Sequence, residues 1–189
     1  MILSSNRGDS IFPFSRTVEY DSNILVMRSD ESSKLKVYAG QRTLDLEVIR
    51  QADGVPIRLC DTSEMLSVGK FRAMVFAGDL SVDLQILGAT ADVLSSVVRR
   101  FGVHTDALEI LTIVIAEKVN RLLLPKLLAG RSVYGDRAGD GSCHFGYGVD
   151  VNKGVVVLVR PDGWIGCCAE LGNNGVLERY FDGFLVPNA

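Results

Sequence analysis

The sequence has few of the residues that carry redox, metal or membrane chemistry. Its four cysteines form no C-x-x-C pair and it has only two histidines, so a zinc site of ordinary spacing is not expected. The longest apolar run, 108–116, is broken by Glu109 and Thr112 and is shorter than the roughly 20 residues that span a bilayer. The 20 lysines and arginines are scattered and the net charge is −3, which argues against nucleic acid as the main partner.

No targeting signal is expected at the amino terminus. The stretch MILSSNRGDSIFPF has no cationic start followed by a long apolar segment, so we expect no signal peptide and a cytoplasmic protein. The chain has 189 residues, of which 47% are hydrophobic and 23% charged, a balance typical of a globular protein with a real core. At this length we expect one main domain, 63–189, preceded by an N-terminal extension with short strands, 1–62.

Apolar periodicity and turn residues predict an α/β chain. The predicted strands are 23–27, 46–50, 56–60, 71–76, one within 107–118, 132–134, 155–159 and 164–168. A helix is predicted through 90–102, with Thr90 as N-cap and Gly102 as its stop, and a second helix within 174–185. Around Pro125 the pattern fits either an interrupted helix or two half-turns. The stretch 132–150 has five glycines in nineteen residues and is predicted to be mostly loop.

The segment GVVVLVRPDGWIG predicts a hairpin. Proline presets φ at Pro161, and Gly163 can take the positive φ that a tight turn requires, so Arg160 and Asp162 are interpreted as turn residues. A parallel β-α-β pair, an antiparallel hairpin and a closing helix make up the thioredoxin-like fold. We therefore predict a mixed sheet of this class.

Several phrases together resemble one family. YDSNILV, GQRTLDLEVIRQADGVPIRL, GKFRAMVFAGD, GVDVNKGVVVLVRPDGWIG and LERYFDGFLVP are similar, in this order, to the C-terminal portion of FAD-dependent phenol hydroxylases, over roughly residues 18–187. The resemblance implies a thioredoxin-like domain that helps to form the hydroxylase dimer. It implies no catalytic residues here, since those of the family lie in its flavin and phenol-binding domains.

The chain lacks sequence features on which the chemistry of flavin hydroxylases and of thioredoxins depends. It has no dinucleotide-binding glycine fingerprint, so we expect no flavin or nicotinamide cofactor. We also expect no metal, because cysteine and histidine are few and not suitably spaced. The stretch FAGDLSVDLQ after the first predicted thioredoxin strand has no cysteine, and GYGVDVN has no proline where thioredoxins keep a cis-proline. Dithiol exchange is therefore not expected.

Three functions remain open. The first is a cofactor-independent enzyme or binding protein of the cyclase, isomerase or dehydratase type, which acts on an aromatic or polyketide-like compound in secondary metabolism beside flavin hydroxylases. The second is a structural or dimerisation module, which forms a homodimer or pairs with a separate flavin hydroxylase. The third is a decaying hydroxylase copy without activity.

Site residues are sought near the glycine-rich loop and the hairpin, because loops on a rigid scaffold carry most function. Asp79 and His144 are the weak catalytic candidates, and the ligand-binding candidates are Tyr134, Asp136, Tyr147 and Trp164. No metal ligands are predicted.

Each candidate also has a purely structural interpretation. The two tyrosines would be half-buried packing residues, and Trp164 a core or interface anchor. His144 would be a solvated loop histidine beside a loop cysteine, Asp136 would form a surface turn pair with Arg137, and Asp79 would be a cap or turn residue.

Overall fold

The computed structural model describes residues 19–28, 35–61, 69–80, 84–101, 108–116, 120–136 and 141–185. In chain order these residues form β1 (Glu47–Arg50), β2 (Pro56–Arg58), β3 (Phe71–Gly78), α1 (Leu84–Phe101), β4 (Leu108–Val114), α2 (Lys126–Ala129), β5 (Ser132–Asp136), α3 (Ser142–Tyr147), β6 (Val155–Val159), β7 (Ile165–Glu170) and α4 (Asn174–Asp182). Gly102, the predicted helix stop, lies outside the described residues, as do the apolar residues Ile11, Phe12 and Phe14 near the amino terminus.

The strands form one mixed sheet in the order β2-β1-β5-β4-β3-β6-β7. β3, β4 and β5 run parallel, and β1, β2, β6 and β7 extend the sheet by antiparallel pairing. The predicted parallel pair, hairpin and closing helix are therefore all present. β1 and β2 come from the stretch assigned to the N-terminal extension, yet they pair within this same sheet.

Both faces of the sheet are covered, which explains why β6 is apolar at every position. Val156 and Leu158 face a core formed with α1, α2 and α4, while Val155 and Val157 face a second core on the side of α3. Successive side chains on a strand point to opposite faces, so a strand buried on both sides has no polar alternation. Cys167 and Cys168 divide between the two cores in the same way.

The hairpin turn is confirmed at the predicted residues. Gly163 has a φ of +84°, and its N–H donates to the carbonyl of Arg160 at 2.9 Å. The Asp162 carboxylate pairs with the Arg160 guanidinium and also accepts the N–H of Trp164. The charged residues that interrupt the apolar run therefore form hydrogen bonds that stabilise the turn.

The outer side of β7 is partly covered by the chain near its amino terminus. The N–H of Met27 donates to the carbonyl of Gly166, and the N–H of Gly40 donates to that of Ile165, both at 2.8 Å. The predicted strand 23–27 is wrong, because Asn23 and Val26 bridge each other across a tight turn in which the Asn23 side chain accepts the N–H of Leu25. The hydrogen bond between the Asn23 side chain and the backbone stabilises a turn here in place of a strand.

Two other predictions need correction. α1 begins at Leu84, so Thr90 lies inside the helix, and its hydroxyl accepts the N–H of Gly172 instead of capping. In the stretch 132–150, predicted to be mostly loop, the predicted strand 132–134 is present as β5, but the helix α3 was not predicted. The start of α3 is held by Asp136, which lies too far back in the chain to be recognised as a local cap. Around Pro125 two short pieces occur, a 3-10 turn at Arg121–Leu123 and α2.

Candidate functional site

Asp136 and His144 meet at the corner where β3 and β5 end. The carboxylate of Asp136 accepts the backbone N–H groups of Cys143 at 2.7 Å and His144 at 2.9 Å, which satisfies free donors in the first turn of α3. Its Oδ2 also lies 2.7 Å from His144 Nδ1. On the other side of the imidazole ring, the N–H of Gly78 donates to Nε2 at 3.2 Å. One histidine thus connects three elements of the fold.

The hydrogen bonds fix where the protons of this corner lie. The backbone N–H of Gly78 can only donate, so Nε2 must be unprotonated and the ring proton lies on Nδ1, which donates to Asp136. Burial by itself raises the pKa of Asp136. The bonds from the His144 ring and from the N–H groups of Cys143 and His144 outweigh burial, and the pKa lies below its usual value. The pair is a carboxylate and a neutral imidazole.

This corner is inaccessible to a substrate. Asp136 and His144 have 0% of their surface exposed, and the imidazole packs edge-on against Phe76 with ring centroids 5.2 Å apart. The predictions of a solvated loop histidine and of a surface turn aspartate are therefore wrong. Both residues are buried because their polar atoms satisfy one another and the backbone. In the described structure Nε2 is already bonded, so His144 has no basic nitrogen available for a ligand.

The thiols have no sign of activation. Burial raises the pKa of Cys143, Cys167 and Cys168, in the last case to about 12. Cys60 is the exposed one, and burial together with the Asp45 carboxylate raises its pKa to about 12. A reactive thiol requires the opposite shift. Cys143 and the adjacent His144 are therefore not arranged as a nucleophile and its base, because the pKa of the thiol is raised and Nε2 of the imidazole accepts the N–H of Gly78.

The remaining candidates lie in separate places. Tyr147 is buried on α3, where its hydroxyl donates to the carbonyl of Leu44 at 2.9 Å and its burial raises its pKa well above the usual value. Trp164 lies on the hairpin, 5.6 Å from the ring of Tyr20 and 4.8 Å below the guanidinium of Arg42. It serves as a packing surface for Tyr20 and Arg42, which belong to the segment near the amino terminus.

Asp79 is exposed directly after β3, where a thioredoxin-like fold has its reactive loop. Its N–H donates to the carbonyl of Val151 at 3.1 Å. Gly78 has a φ of +66°, and a Cβ there would lie 2.1 Å from the same carbonyl oxygen, so only glycine fits. Sequence reasoning missed Gly78 as the partner of His144. A glycine at the end of a buried strand was the available signal.

A cavity of about 460 Å³ opens at the other end of the strands. Its lining, among the described residues, is Arg50, Ala52, Glu109, Ile110, Arg121, Gly130, Arg131, Ser132, Val133 and Tyr134. Tyr134, a predicted ligand-binding residue, is the one candidate that reaches this cavity. The arginines come from distant parts of the chain, so no local motif could have revealed their grouping.

The described residues hold no group of three or more His, Cys, Asp or Glu side chains that could bind a metal ion. Within the described ranges, no helix is both long and apolar enough to cross a membrane.

Comparison with curated proteins finds monooxygenases. The chain is 32% identical over 164 residues to the phenol 2-monooxygenase fsqG of Aspergillus fumigatus, covering 76% of this chain and 26% of that protein. It is 29% identical over 136 residues to an FAD-dependent monooxygenase of Aspergillus terreus, covering 65% of this chain and 19% of the relative. The chain thus spans about a quarter or less of the length of these relatives.

Comparison with solved structures supports the fold. A domain of a possible thiol-disulfide isomerase from Cytophaga hutchinsonii matches with a TM-score of 0.56 at 13% identity, over 78% of this chain and 93% of that one. A conserved protein of unknown function from Bacteroides fragilis matches with a TM-score of 0.55 at 15% identity, over 77% and 99%. The predicted thioredoxin-like fold is confirmed. The family model described as "Phenol hydroxylase, C-terminal dimerisation domain" matches residues 18–189, and the chain therefore belongs to this family.

Proposed function

We propose that this chain is a dimerisation module that associates with a second copy of itself. The observation that carries the proposal is the match of residues 18–189 to a family described as a dimerisation domain. The buried state of the Asp136 and His144 side chains is consistent with a structural role, because a catalytic pair must reach its substrate.

An apolar corner supplies a suitable surface for this association. Leu84 and Ile86, in the first turn of α1, and Val151, in the turn before β6, are each 39–40% exposed. The carbonyl of Val151 accepts the N–H of Asp79 and so lies beside the end of β3, and Ile86 lies beside Gly172. Large apolar side chains that remain exposed at one end of a sheet are candidates for an interaction surface. We propose that Leu84, Ile86 and Val151 lie in the dimer interface.

The test is the mass of the protein in solution. Sedimentation equilibrium over a range of micromolar concentrations should give twice the mass of one chain. Leu84→Glu should weaken association by at least about tenfold, since it places a charge in a desolvated contact. A glutamate in the first turn of α1 also suits the helix dipole, so the monomer should remain folded.

The matched control is Leu122→Glu. Leu122 is 93% exposed on the 3-10 turn, at the cavity end of the sheet and away from the apolar corner. This variant should associate like the original chain. A monomer at every concentration would refute self-association, whereas a dimer that Leu84→Glu leaves unchanged would move the interface elsewhere.

A second candidate is pairing with a separate flavin-dependent monooxygenase. It is favoured by the relatives, which are monooxygenases several times longer than the stretch that this chain matches. In that case mixing the two chains would yield a heterodimer by sedimentation, and Leu84→Glu would weaken it too. The cofactor-independent cyclase, isomerase or dehydratase remains a prediction. Asp79 is the exposed member of its two catalytic candidates.

A further inference from the structure

The cavity at the amino ends of β4 and β5 has the features of a ligand site. Its volume of about 460 Å³ lies within the range of small-molecule pockets. The cationic side chains on its wall come from three segments: Arg50 from the end of β1, Arg121 from the 3-10 turn, and Arg131 from the residue before β5. Elements distant in the sequence thus bring guanidinium groups to one opening.

Some of the charged side chains that line this cavity pair with an opposite charge, and others do not. Arg50 is paired with Asp53 at 2.6 Å, and the one acidic lining residue among those described, Glu109, is paired with the buried Arg72 at 3.2 Å. Arg121 and Arg131 have no acidic partner within the described ranges. Nη1 of Arg121 donates to the carbonyl of Ala129 at 3.2 Å, which holds this guanidinium in place and leaves its other N–H groups available. The opening therefore has surplus positive charge.

The inner end of the cavity is closed by the strands. Ile110 belongs to β4, Val133 and Tyr134 belong to β5, and all three are buried among the strands. Val133 and Tyr134 belong to cores on opposite faces of the sheet, so these residues close the cavity without forming one continuous apolar surface. A ligand would therefore be held mainly by the polar groups at the opening.

We propose that this cavity binds a small carboxylic acid, whose carboxylate is held by Arg121 and Arg131 at the opening. A guanidinium presents N–H groups in a planar fork that matches a carboxylate. The Glu109 carboxylate on the wall favours an anion of single charge over a phosphate dianion. This ligand site is independent of the proposed dimerisation.

The test uses the full chain and benzoate as the probe, with binding measured by calorimetric titration. We expect saturable binding of benzoate with one site per chain. Arg131→Gln and Arg121→Gln should each weaken it by about tenfold, the loss expected when one charge-assisted hydrogen-bond partner is removed. Lys153→Gln is the control, because it removes an exposed cation from the turn before β6 at the opposite end of the strands.

Two further probes separate the parts of the proposal. Benzyl alcohol, which has the ring without the charge, should bind at least about tenfold more weakly than benzoate, and inorganic phosphate should also bind more weakly. Failure of benzoate to saturate, equal affinity in the double variant Arg121→Gln/Arg131→Gln, or phosphate binding as tightly as benzoate would each overturn the proposal. Near-UV circular dichroism confirms that each variant is folded, and sedimentation reports its association separately.

Discussion

At the scale of single residues, two buried threonines differ in whether their hydroxyl groups are hydrogen-bonded. The hydroxyl of Thr112, on the central strand β4, has no hydrogen-bond partner in the part of the chain that the structure describes. The hydroxyl of Thr90, inside α1, accepts the N–H of Gly172 at 3.1 Å. A buried polar group without a partner lowers stability, whereas a bonded one can raise it.

Replacing each threonine by valine should therefore change stability in opposite directions. Thr112→Val should stabilise the protein by about 1 kcal/mol, because the isosteric methyl removes an unsatisfied hydroxyl and suits a strand. Thr90→Val should destabilise it by about 1–2 kcal/mol, because the Gly172 N–H loses its acceptor. Urea unfolding with unchanged m-values measures both effects. A loss of stability in Thr112→Val would mean that its hydroxyl has a partner.

At the scale of elements, α3 depends on a single carboxylate. Asp136 closes β5 and accepts two N–H groups at the start of α3, while Gly141 before this helix has no side chain with which to cap it. A cap supplied from another strand makes the helix dependent on tertiary structure. This explains why local patterns predicted a loop at these residues.

Asp136→Asn should lower the free energy of unfolding at neutral pH by roughly 3 kcal/mol, since it removes a buried charge that is fully bonded. The folded-state pKa of Asp136 is lowered, so its contribution is present above the unfolded value of about 3.9 and is lost as the pH falls through the folded value. The stability of the original chain should therefore fall more steeply with acid than that of Asp136→Asn. Urea unfolding across the acid range measures this.

Asp182→Asn is the control for that comparison. Asp182 is an exposed carboxylate that pairs with Arg100 at 2.7 Å, and such surface pairs contribute little. Parallel stability curves for Asp136→Asn and the original chain in acid would contradict the assignment of Asp136 as the carboxylate that stabilises this corner.

The end of β3 gives a second prediction at this scale. Gly78→Ala should destabilise the protein by more than about 3 kcal/mol, because the new Cβ meets the Val151 carbonyl at 2.1 Å and a positive φ is strained for alanine. Gly54→Ala has a similar φ of +72° with open space around it, and should cost only about 1 kcal/mol. Urea unfolding of the two variants separates the steric effect from the backbone effect. Equal losses would show that the corner can relax.

At the scale of the whole molecule, local signals were sufficient for most of the sheet. The apolar run of β6, the proline and glycine of its turn, and the strand β3 could be located from the sequence, because strand burial and turn chemistry act over a few residues. The site could not be located in this way. Asp136 and His144 are eight residues apart, and their partner Gly78 lies 66 residues from the histidine, so their contact depends on strand order.

The cavity illustrates the same limit. Arg50, Arg121 and Arg131 occur in unremarkable sequence contexts, and their charges converge only because β1 pairs with β5 beside the start of β4. Composition shows that the lysines and arginines are scattered along the sequence. Composition cannot show that three of these arginines line one cavity.

The distribution of the cysteines has a practical consequence. Three of the four are buried, and Cys60, just after β2, is the exposed one. The native chain therefore offers one exposed thiol for a spin label, without engineered mutations. Because the pKa of Cys60 is raised to about 12, labelling requires alkaline pH and a long incubation. In an assembly of two chains, the separation of the two labels would report directly how the copies are oriented.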